Sequence, residues 1–174
     1  MTIFPNIKKA GLLEIQGYKM LVAVVLCGPP CSGKSTYRIS AYPEYTVAST
    51  DLELDKISLR LDLSYEEAFA SYYKEAEQTF NKIISSEPKF LVVDRTNLTA
   101  KSRSKLLKNQ LKNYKIKIAD CPKRIILREL LYRNKTREQE TGKYIPVDIL
   151  TEMYDRYEKP SLDEGFNYIR EFSW

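Results

Sequence analysis

The sequence contains no histidine, and this removes the commonest general base and the commonest ligand of transition metals. Any proton transfer must therefore fall to another side chain, and a carboxylate is the expected one. Cysteine is scarce as well, because Cys27, Cys31 and Cys121 are the only three and form no CxxC pair. Neither a disulfide framework nor a zinc site is predicted, and we expect free thiols.

Long apolar runs are also missing. No window approaches the roughly 20 apolar residues that span a bilayer, and residues 1–19 lack the ordered regions of a secretory signal. We therefore expect residues 1–19 to be an N-terminal extension, residues 20–174 to form one domain, and the protein to be cytoplasmic with no membrane partner. A net charge of +5 favours an anionic partner without specifying which.

Four apolar runs predict β-strands. Residues 20–27 (MLVAVVLC) are continuously apolar and include β-branched valines, which is typical of a strand buried on both faces of a parallel sheet. Shorter runs at residues 45–49, 90–93 and 116–119 predict three further strands. Because these strands alternate with helical patterns, we predict an α/β fold with a parallel sheet of four or five strands flanked by helices.

The clearest helix covers residues 64–85, where Ser64 and Glu67 form a capping box. Apolar and aromatic side chains recur there at three- and four-residue steps: Tyr65, Ala68, Phe69, Tyr72, Tyr73, Ala76, Phe80, Ile83 and Ile84. We interpret this stripe as core packing rather than as a platform for stacking bases. Later helices at about 123–134 and 147–157 are joined by the polar residues 135–145, which we predict to form a mobile lid.

A phosphate-binding motif follows the first strand directly. It matches GxxxxGK[ST] and consists of Gly28, Pro29, Pro30, Cys31, Ser32, Gly33, Lys34, Ser35 and Thr36. We call these residues the phosphate loop. Its backbone N–H groups are predicted to bind the phosphates of ATP beside a helix N-terminus. Lys34 would contact the β- and γ-phosphates, and the Ser35 hydroxyl would be a ligand of Mg²⁺.

Two carboxylates follow predicted strands. Asp51 comes after the second strand, where it could orient an acceptor hydroxyl and take its proton. The same residue could instead cap a helix beginning at Leu52, and the sequence leaves both readings open. Asp94 ends the third strand in the manner of a Walker B element that reaches Mg²⁺, although a structural hydrogen bond is the alternative.

The residues that follow Asp94 carry a resemblance. Residues 94–98 (DRTNL) resemble the DxTN-type segment of 5′-polynucleotide kinases. Residues 133–138, 145–147 and 159–166 resemble the lid and C-terminal segments of that family in the same order. The similarity spans about residues 21–172, and it implies a P-loop kinase fold with a helical lid. It also implies ATP-dependent transfer of the γ-phosphate to the 5′-hydroxyl end of DNA or RNA.

The resemblance also implies residue roles. Asp51 occupies the position of the general base, and Arg137 that of a lid arginine that stabilises the transferring phosphate. Thr96 and Asn97 fall in the acceptor site, and we add Arg103 to the substrate-binding set. Arg133 would share the nucleotide site, or it would form a surface ion pair. Cys31 departs from the family pattern, which often has glycine at its position.

Basic residues concentrate after this segment. Between residues 99 and 117 there are seven and no acidic one: Lys101, Arg103, Lys105, Lys108, Lys112, Lys115 and Lys117. The spacing of Lys101, Lys105, Lys108 and Lys112 places them on one helical face. Such a face could bind backbone phosphates, or it could simply be solvated.

Two other functions remain open at this stage. A kinase acting on a nucleoside, sugar or antibiotic would share the phosphate loop, base and lid. A nucleotide-dependent switch that binds nucleic acid is the second alternative, although the NKxD segment that reads a guanine base is absent. DxDGT-type phosphatase and KxDG-type ligase motifs are also absent, so partner activities of that kind are not predicted.

Overall fold

The computed structural model describes residues 20–173, and the predicted extension at residues 1–19 lies outside them. Five strands form one sheet in the order β2-β3-β1-β4-β5, and every pair of neighbours is parallel. The strands are β1 Val22–Leu26, β2 Thr46–Ala48, β3 Phe90–Asp94, β4 Ile116–Pro122 and β5 Tyr168–Phe172. The prediction of a parallel α/β fold is confirmed.

Helices connect the strands and cover both faces of the sheet. They are α1 Lys34–Ala41, α2 Thr50–Leu61, α3 Tyr65–Ser85, α4 Ala100–Asn109, α5 Leu127–Thr141 and α6 Val147–Asp155. A 3₁₀ turn at Leu162–Glu164 precedes β5. The capping box predicted for α3 is present, because Ser64 accepts from the backbone N–H of Glu67 and the Glu67 side chain accepts from that of Ser64.

The central strand β1 is buried on both sides, as its sequence predicts. On one face, Val25 belongs to a core that includes Phe80 of α3 and Leu107 of α4. On the other face, Val24 packs in a core that includes Tyr42, directly after α1. Because β3 and β4 flank β1 in register, the carboxyl ends of three strands meet at one edge of the sheet.

The fifth strand was not located from the sequence. Its run YIREF contains two charged residues, so no continuous apolar signal marks it. Each charge has a partner in the fold: Arg170 donates to Asp120 of β4 at 2.8 Å, and Glu171 pairs with Lys159. β5 is therefore an edge strand whose charged side chains are neutralised by neighbouring elements.

Two predicted boundaries are corrected. Residues 135–141, predicted as part of a lid loop, are the last turns of α5, so the connection to α6 covers only residues 142–146. Gly142 ends the helix in the left-handed region at φ 71°, a conformation that favours glycine. α4 ends at Asn109, so Lys112 of the predicted basic face lies beyond the helix.

The aromatic stripe of α3 is only partly core. Ala68, Ala76, Phe80 and Ile84 are buried, but Phe69 and Tyr73 are 48% and 40% exposed. The core interpretation is wrong for these two residues, because they lie on a side of α3 that no element covers among the described residues. In residues 20–173 no helix is both long and apolar enough to cross a membrane.

Candidate active site

The phosphate loop connects β1 to α1 at the carboxyl edge of the sheet. The N–H of Gly28 donates to the carbonyl of Thr96 at 2.8 Å, which ties the loop to the segment after β3. Gly28 has φ 142°, and a Cβ there would lie 3.1 Å from Cδ of Pro122. Gly33 has φ 80° directly before α1. Both fixed glycines of the motif are therefore required by backbone conformation.

Lys34 lies buried within this loop. Its Nζ donates to the carbonyl oxygens of Gly28 at 2.9 Å and Pro29 at 2.8 Å. Burial lowers the pKa of Lys34, and the carboxylates of Asp94 and Asp51 oppose that shift. The Ser32 hydroxyl is buried without a hydrogen-bond partner among the described residues. A buried ammonium and an unpartnered hydroxyl at a helix N-terminus fit an anion such as the triphosphate of ATP.

Cys31 occupies the left-handed region at φ 60°, which explains why glycine suits its position in similar loops. Its carbonyl accepts from the guanidinium of Arg133 at 3.3 Å, and its Sγ donates to Oδ1 of Asn134 at 3.8 Å. Burial raises the pKa of the Cys31 thiol, opposed by Arg137, Lys34 and Arg133. Helix α5 thus rests directly on the phosphate loop.

The two predicted Mg²⁺ ligands lie on neighbouring elements. Asp94 ends β3, and its Oδ2 accepts from Nε of Arg38 at 2.9 Å. Burial raises the pKa of Asp94, while Lys34 and Arg38 lower it. Ser35 is exposed in the first turn of α1, where Thr36 is also exposed.

The donor set fits a magnesium ion that shares its coordination with phosphate. In residues 20–173 no three His, Cys, Asp or Glu side chains are grouped to hold a metal. Mg²⁺ is commonly bound by one or two protein oxygens together with substrate phosphates and water. Ser35 and Asp94 would be those protein ligands, and the ion would neutralise charge on the phosphates.

Asp51 does not cap α2. The helix begins at Thr50, and the cap is Ser49, whose side chain accepts from the N–H of Leu52 at 3.3 Å. The capping alternative is therefore wrong. Asp51 lies exposed in the first turn of α2, and its Oδ1 accepts from the hydroxyl of Tyr65 at 3.0 Å. Among the described residues, Oδ2 has no hydrogen-bond partner.

The residues predicted to form the lid are held by an asparagine that the sequence did not single out. Asn134 is 1% exposed, and its amide donates to the carbonyl of Ile145 at 2.7 Å. Its Oδ1 accepts from the N–H of Ile145 at 3.2 Å and from Arg137 at 3.4 Å. Arg137 also donates from Nε to the carbonyl of Lys143 at 3.3 Å. Asn134 thus joins α5, the turn after it and the phosphate loop.

The segment after β3 lies beside the phosphate loop. Asn97 has φ 46°, and its side-chain amide donates to the carbonyl of Leu26 at 2.8 Å. Thr96, whose carbonyl binds Gly28, is half-buried. These contacts bring Thr96 and Asn97 to the end of β1, next to the predicted nucleotide site.

Arg103 is placed differently from its predicted role. Its side chain is fully buried, and it forms two charge-assisted bonds to Glu164 at 2.6 and 2.7 Å. Its NH1 donates to the carbonyls of Asn97, Leu98 and Glu158. The guanidinium joins three segments of the fold and presents no surface to a ligand. The prediction that Arg103 binds substrate is therefore contradicted.

Other residues at the site were missed. Arg38 pairs with Asp94, and Tyr65 pairs with Asp51. Lys143, in the turn after α5, forms an ion pair with Asp55 of α2. No local pattern indicates these pairs, because each joins residues that are distant in the sequence.

The parallel sheet flanked by helices and the loop with its buried lysine define a P-loop kinase-like domain. A profile of the family described as AAA domain matches residues 24–160, and the chain belongs to this family. No curated protein is similar enough to the sequence to count as a match.

Three solved structures share the fold. One is a protein from Chloroflexus aurantiacus that is described as a kinase by inference. It shares 16% sequence identity with this chain at a TM-score of 0.59, and the match covers 90% of this chain and 87% of that chain. The Pnkp1/Rnl/Hen1 RNA repair complex contains a chain with 20% identity and a TM-score of 0.59, over 81% of this chain and 45% of that one. Shikimate kinase from Acinetobacter baumannii shares 15% sequence identity at a TM-score of 0.50, and the match covers 90% of this chain and 86% of that chain.

Proposed function

We propose that this protein transfers the γ-phosphate of ATP to the 5′-hydroxyl end of a polynucleotide. The observation that carries the proposal is the convergence of three chemical groups on the phosphate loop. Lys34 lies buried in the loop, and Arg133 donates to the carbonyl of Cys31 at 3.3 Å. Asp51 and Arg137 lie near enough to act on the pKa values of Lys34 and Cys31, respectively. A phosphate site, a carboxylate with one oxygen available to an acceptor, and two arginines are parts that phosphoryl transfer uses.

Each group has one role in this proposal. The phosphate loop and Lys34 hold the triphosphate. Asp51 orients the acceptor hydroxyl and receives its proton on Oδ2, while Oδ1 remains bonded to Tyr65. Arg137 binds the phosphoryl oxygens, because its planar guanidinium stays charged as negative charge shifts during transfer. Thr96 and Asn97 border the acceptor.

A basic surface supports a polynucleotide acceptor. Lys101, Lys105 and Lys108 are exposed on α4, and residues 99–117 contain no acidic side chain. The helix begins three residues after Asn97, so this surface extends outward from the proposed acceptor site. We call these three lysines the basic row. Lysines in such a row neutralise backbone phosphates.

Acidic residues in the helices around Asp51 favour a second candidate, a kinase of a small neutral or cationic acceptor. Asp51, Glu53 and Asp55 lie in the first two turns of α2, and Glu66 and Glu67 lie in the first turn of α3. Two of these carboxylates are paired, Glu53 with Lys56 and Asp55 with Lys143. The remaining negative charge would favour an uncharged or positively charged substrate over a polyanion.

One assay separates the two candidates. The protein is incubated with γ-labelled ATP, Mg²⁺ and either a 5′-hydroxyl DNA or RNA oligonucleotide or a panel of nucleosides, sugars and aminoglycosides. Label at the oligonucleotide 5′ end, absent with a 5′-phosphorylated oligonucleotide and with the Lys34→Met variant, is the expected result. Label on a small molecule alone would overturn the polynucleotide assignment. ATP turnover with no labelled acceptor would favour a nucleotide switch.

A further inference from the structure

The proposed base is held by a tyrosine from the next helix. Tyr65, the first residue of α3, donates its hydroxyl proton to Oδ1 of Asp51 at 3.0 Å across the pair formed by α2 and α3. Burial raises the pKa of Tyr65 far above its ordinary value, and the charge and hydrogen bond of Asp51 add to this shift. The phenol therefore keeps its proton and remains a donor throughout the neutral range.

The ring of Tyr65 is also held by the turn that follows α5. Nζ of Lys143 lies 4.4 Å from the ring centroid, within range of a cation–π interaction. The same ammonium pairs with Asp55, one turn beyond Asp51 on α2. The backbone carbonyl of Lys143 accepts from Arg137 at 3.3 Å. A continuous set of contacts thus runs from the lid arginine to the carboxylate of Asp51.

We propose that Tyr65 is a positioning residue for Asp51, and that Lys143 holds Tyr65 in the orientation that this requires. The inference rests on the proposed role of Asp51 as the base. With Oδ1 bonded to Tyr65, rotation of the carboxylate is restricted and Oδ2 is the oxygen left to receive the acceptor's proton. Because Lys143 belongs to the lid turn, correct placement of the base depends on where that turn lies.

Several charged groups surround this pair and must stay unchanged in any variant that tests it. Lys34 of the phosphate loop and Asp94 of β3 interact with Asp51. Asp55 of α2 and Arg137 of α5 act on Tyr65. These groups are the same in a variant that removes only the hydroxyl of Tyr65, so a difference between the two proteins reports on that hydroxyl.

The first test is Tyr65→Phe, with Tyr73→Phe as the matched control on the exposed side of α3. We expect kcat to fall about tenfold to a hundredfold in Tyr65→Phe, since misplacement of a catalytic group costs about that much. The KM for ATP should not change. Tyr73→Phe should behave as the native protein does.

A second measurement does not depend on activity. Carboxyl NMR at one fixed pH near neutrality resolves the side-chain carbon of Asp51 in the native protein, Tyr65→Phe and Tyr73→Phe, with Asp51→Asn used to assign the signal. Because Tyr65 donates to Oδ1 of Asp51, the chemical shift of this carbon should change in Tyr65→Phe only. An unchanged chemical shift would overturn the proposal, whatever acceptor the enzyme uses. A changed chemical shift without any phosphate transfer would leave the Tyr65 contact supported and would count against the proposed function instead.

The role of Lys143 is tested by Lys143→Met, which retains the apolar stem, against Lys135→Met on the exposed surface of α5. Lys143→Met should reduce kcat in the same direction as Tyr65→Phe, and the double variant should be no worse than Tyr65→Phe alone, because both act on the same carboxylate. Fully additive losses would show that Lys143 acts independently and would overturn its part of the proposal.

Discussion

Arg103 and Glu164 form a bidentate ion pair that fastens α4 to the 3₁₀ turn before β5. The two bonds are 2.6 and 2.7 Å long, and the two side chains are 0% and 7% exposed. Three backbone carbonyls from the segments after β3 and α6 bind the same guanidinium. Although Arg103 lies in a basic run of the sequence, its side chain therefore stabilises contacts between segments inside the fold.

This pair gives the first prediction. Arg103→Met should lower the free energy of unfolding by about 3–5 kcal/mol, because it leaves the carboxylate of Glu164 buried without its partner. The same change at Arg60, which pairs with Glu75 on the surface, should cost no more than about 1 kcal/mol. Urea denaturation measures both. A stable Arg103→Met protein that fails only in oligonucleotide binding would instead restore the substrate-binding role.

The second prediction concerns the proposed base. Asp51→Asn keeps the size of the side chain but cannot accept a proton, so kcat should fall by about 10²–10⁴-fold. ATP binding, followed by calorimetry, should remain because Asp51 is absent from the phosphate loop. The matched control is Asp62→Asn at the other end of α2, where φ is 53°, a conformation that asparagine tolerates. Near-normal transfer by Asp51→Asn would place the base elsewhere.

The third prediction concerns the backbone of the phosphate loop. Cys31 has φ 60°, so Cys31→Gly should fold and bind ATP with a change in unfolding free energy within about 1 kcal/mol. Cys31→Val should destabilise the protein by about 1–3 kcal/mol, because a β-branched side chain is strained in that region. Both variants lose the Sγ contact with Asn134, so their difference in thermal unfolding isolates the conformation. Equal stabilities would contradict this explanation.

The fourth prediction concerns pH. Burial raises the pKa of Asp94 above its ordinary value of 3.8, against the effect of Lys34 and Arg38. The folded protein therefore binds the proton of the Asp94 carboxyl more tightly than the unfolded chain does. Stability is lost as the pH rises from 3.8, the ordinary pKa of this group, through its raised pKa in the folded protein. Asp94→Asn removes the titration, so its unfolding free energy relative to the native protein should increase across this window.

A group with the opposite shift provides the control. Hydrogen bonds from the side chain and backbone N–H of Ser64 lower the pKa of Glu67 below 4.5. Its contribution to stability is present above that value and is lost as the pH falls through the folded pKa. The unfolding free energy of Glu67→Gln relative to the native protein should therefore decrease as the pH rises. Parallel trends in the two variants would contradict the assignment.

Sequence reading succeeded where the signal was local. The apolar run of β1, the motif of the phosphate loop and the capping box at Ser64 each depend on neighbouring residues, and each is present in the structure. It failed where a role depends on a distant partner. The position of Arg103 depends on Glu164, 61 residues away, and the orientation of Asp51 depends on how α2 packs on α3.

The predicted lid shows the same contrast between local signals, which the sequence carries, and contacts with distant residues, which it does not. Polar residues at 135–141 could equally form a loop or the solvated face of a helix, and sequence alone does not separate these. The glycine at 142 is the actual end of α5. The contact between Lys143 and Asp55 could not be predicted at all, because the turn and α2 are brought together only by the packing of α5 onto the phosphate loop.

The last prediction tests the basic row. Replacing Lys101, Lys105 and Lys108 by glutamine should raise the KM for an oligonucleotide and leave the KM for ATP unchanged. Each phosphate contact that is lost should reduce the slope of log affinity against log salt by about 0.7 for a single strand. Three lost contacts would therefore reduce the slope by about 2, which fluorescence anisotropy across a salt series can measure.

The matched control replaces Lys56, Lys74 and Lys82, exposed on α2 and α3, by glutamine. Both triple variants lower the net charge by three, from +5 to +2. A difference in oligonucleotide binding between them therefore shows an effect of the position of the charge and not of its total. Only the basic-row variant should lose affinity and salt dependence. Equal losses would show that only the total charge matters and not its position in the basic row. Unchanged binding in both would favour the small-molecule acceptor suggested by the acidic residues of α2 and α3.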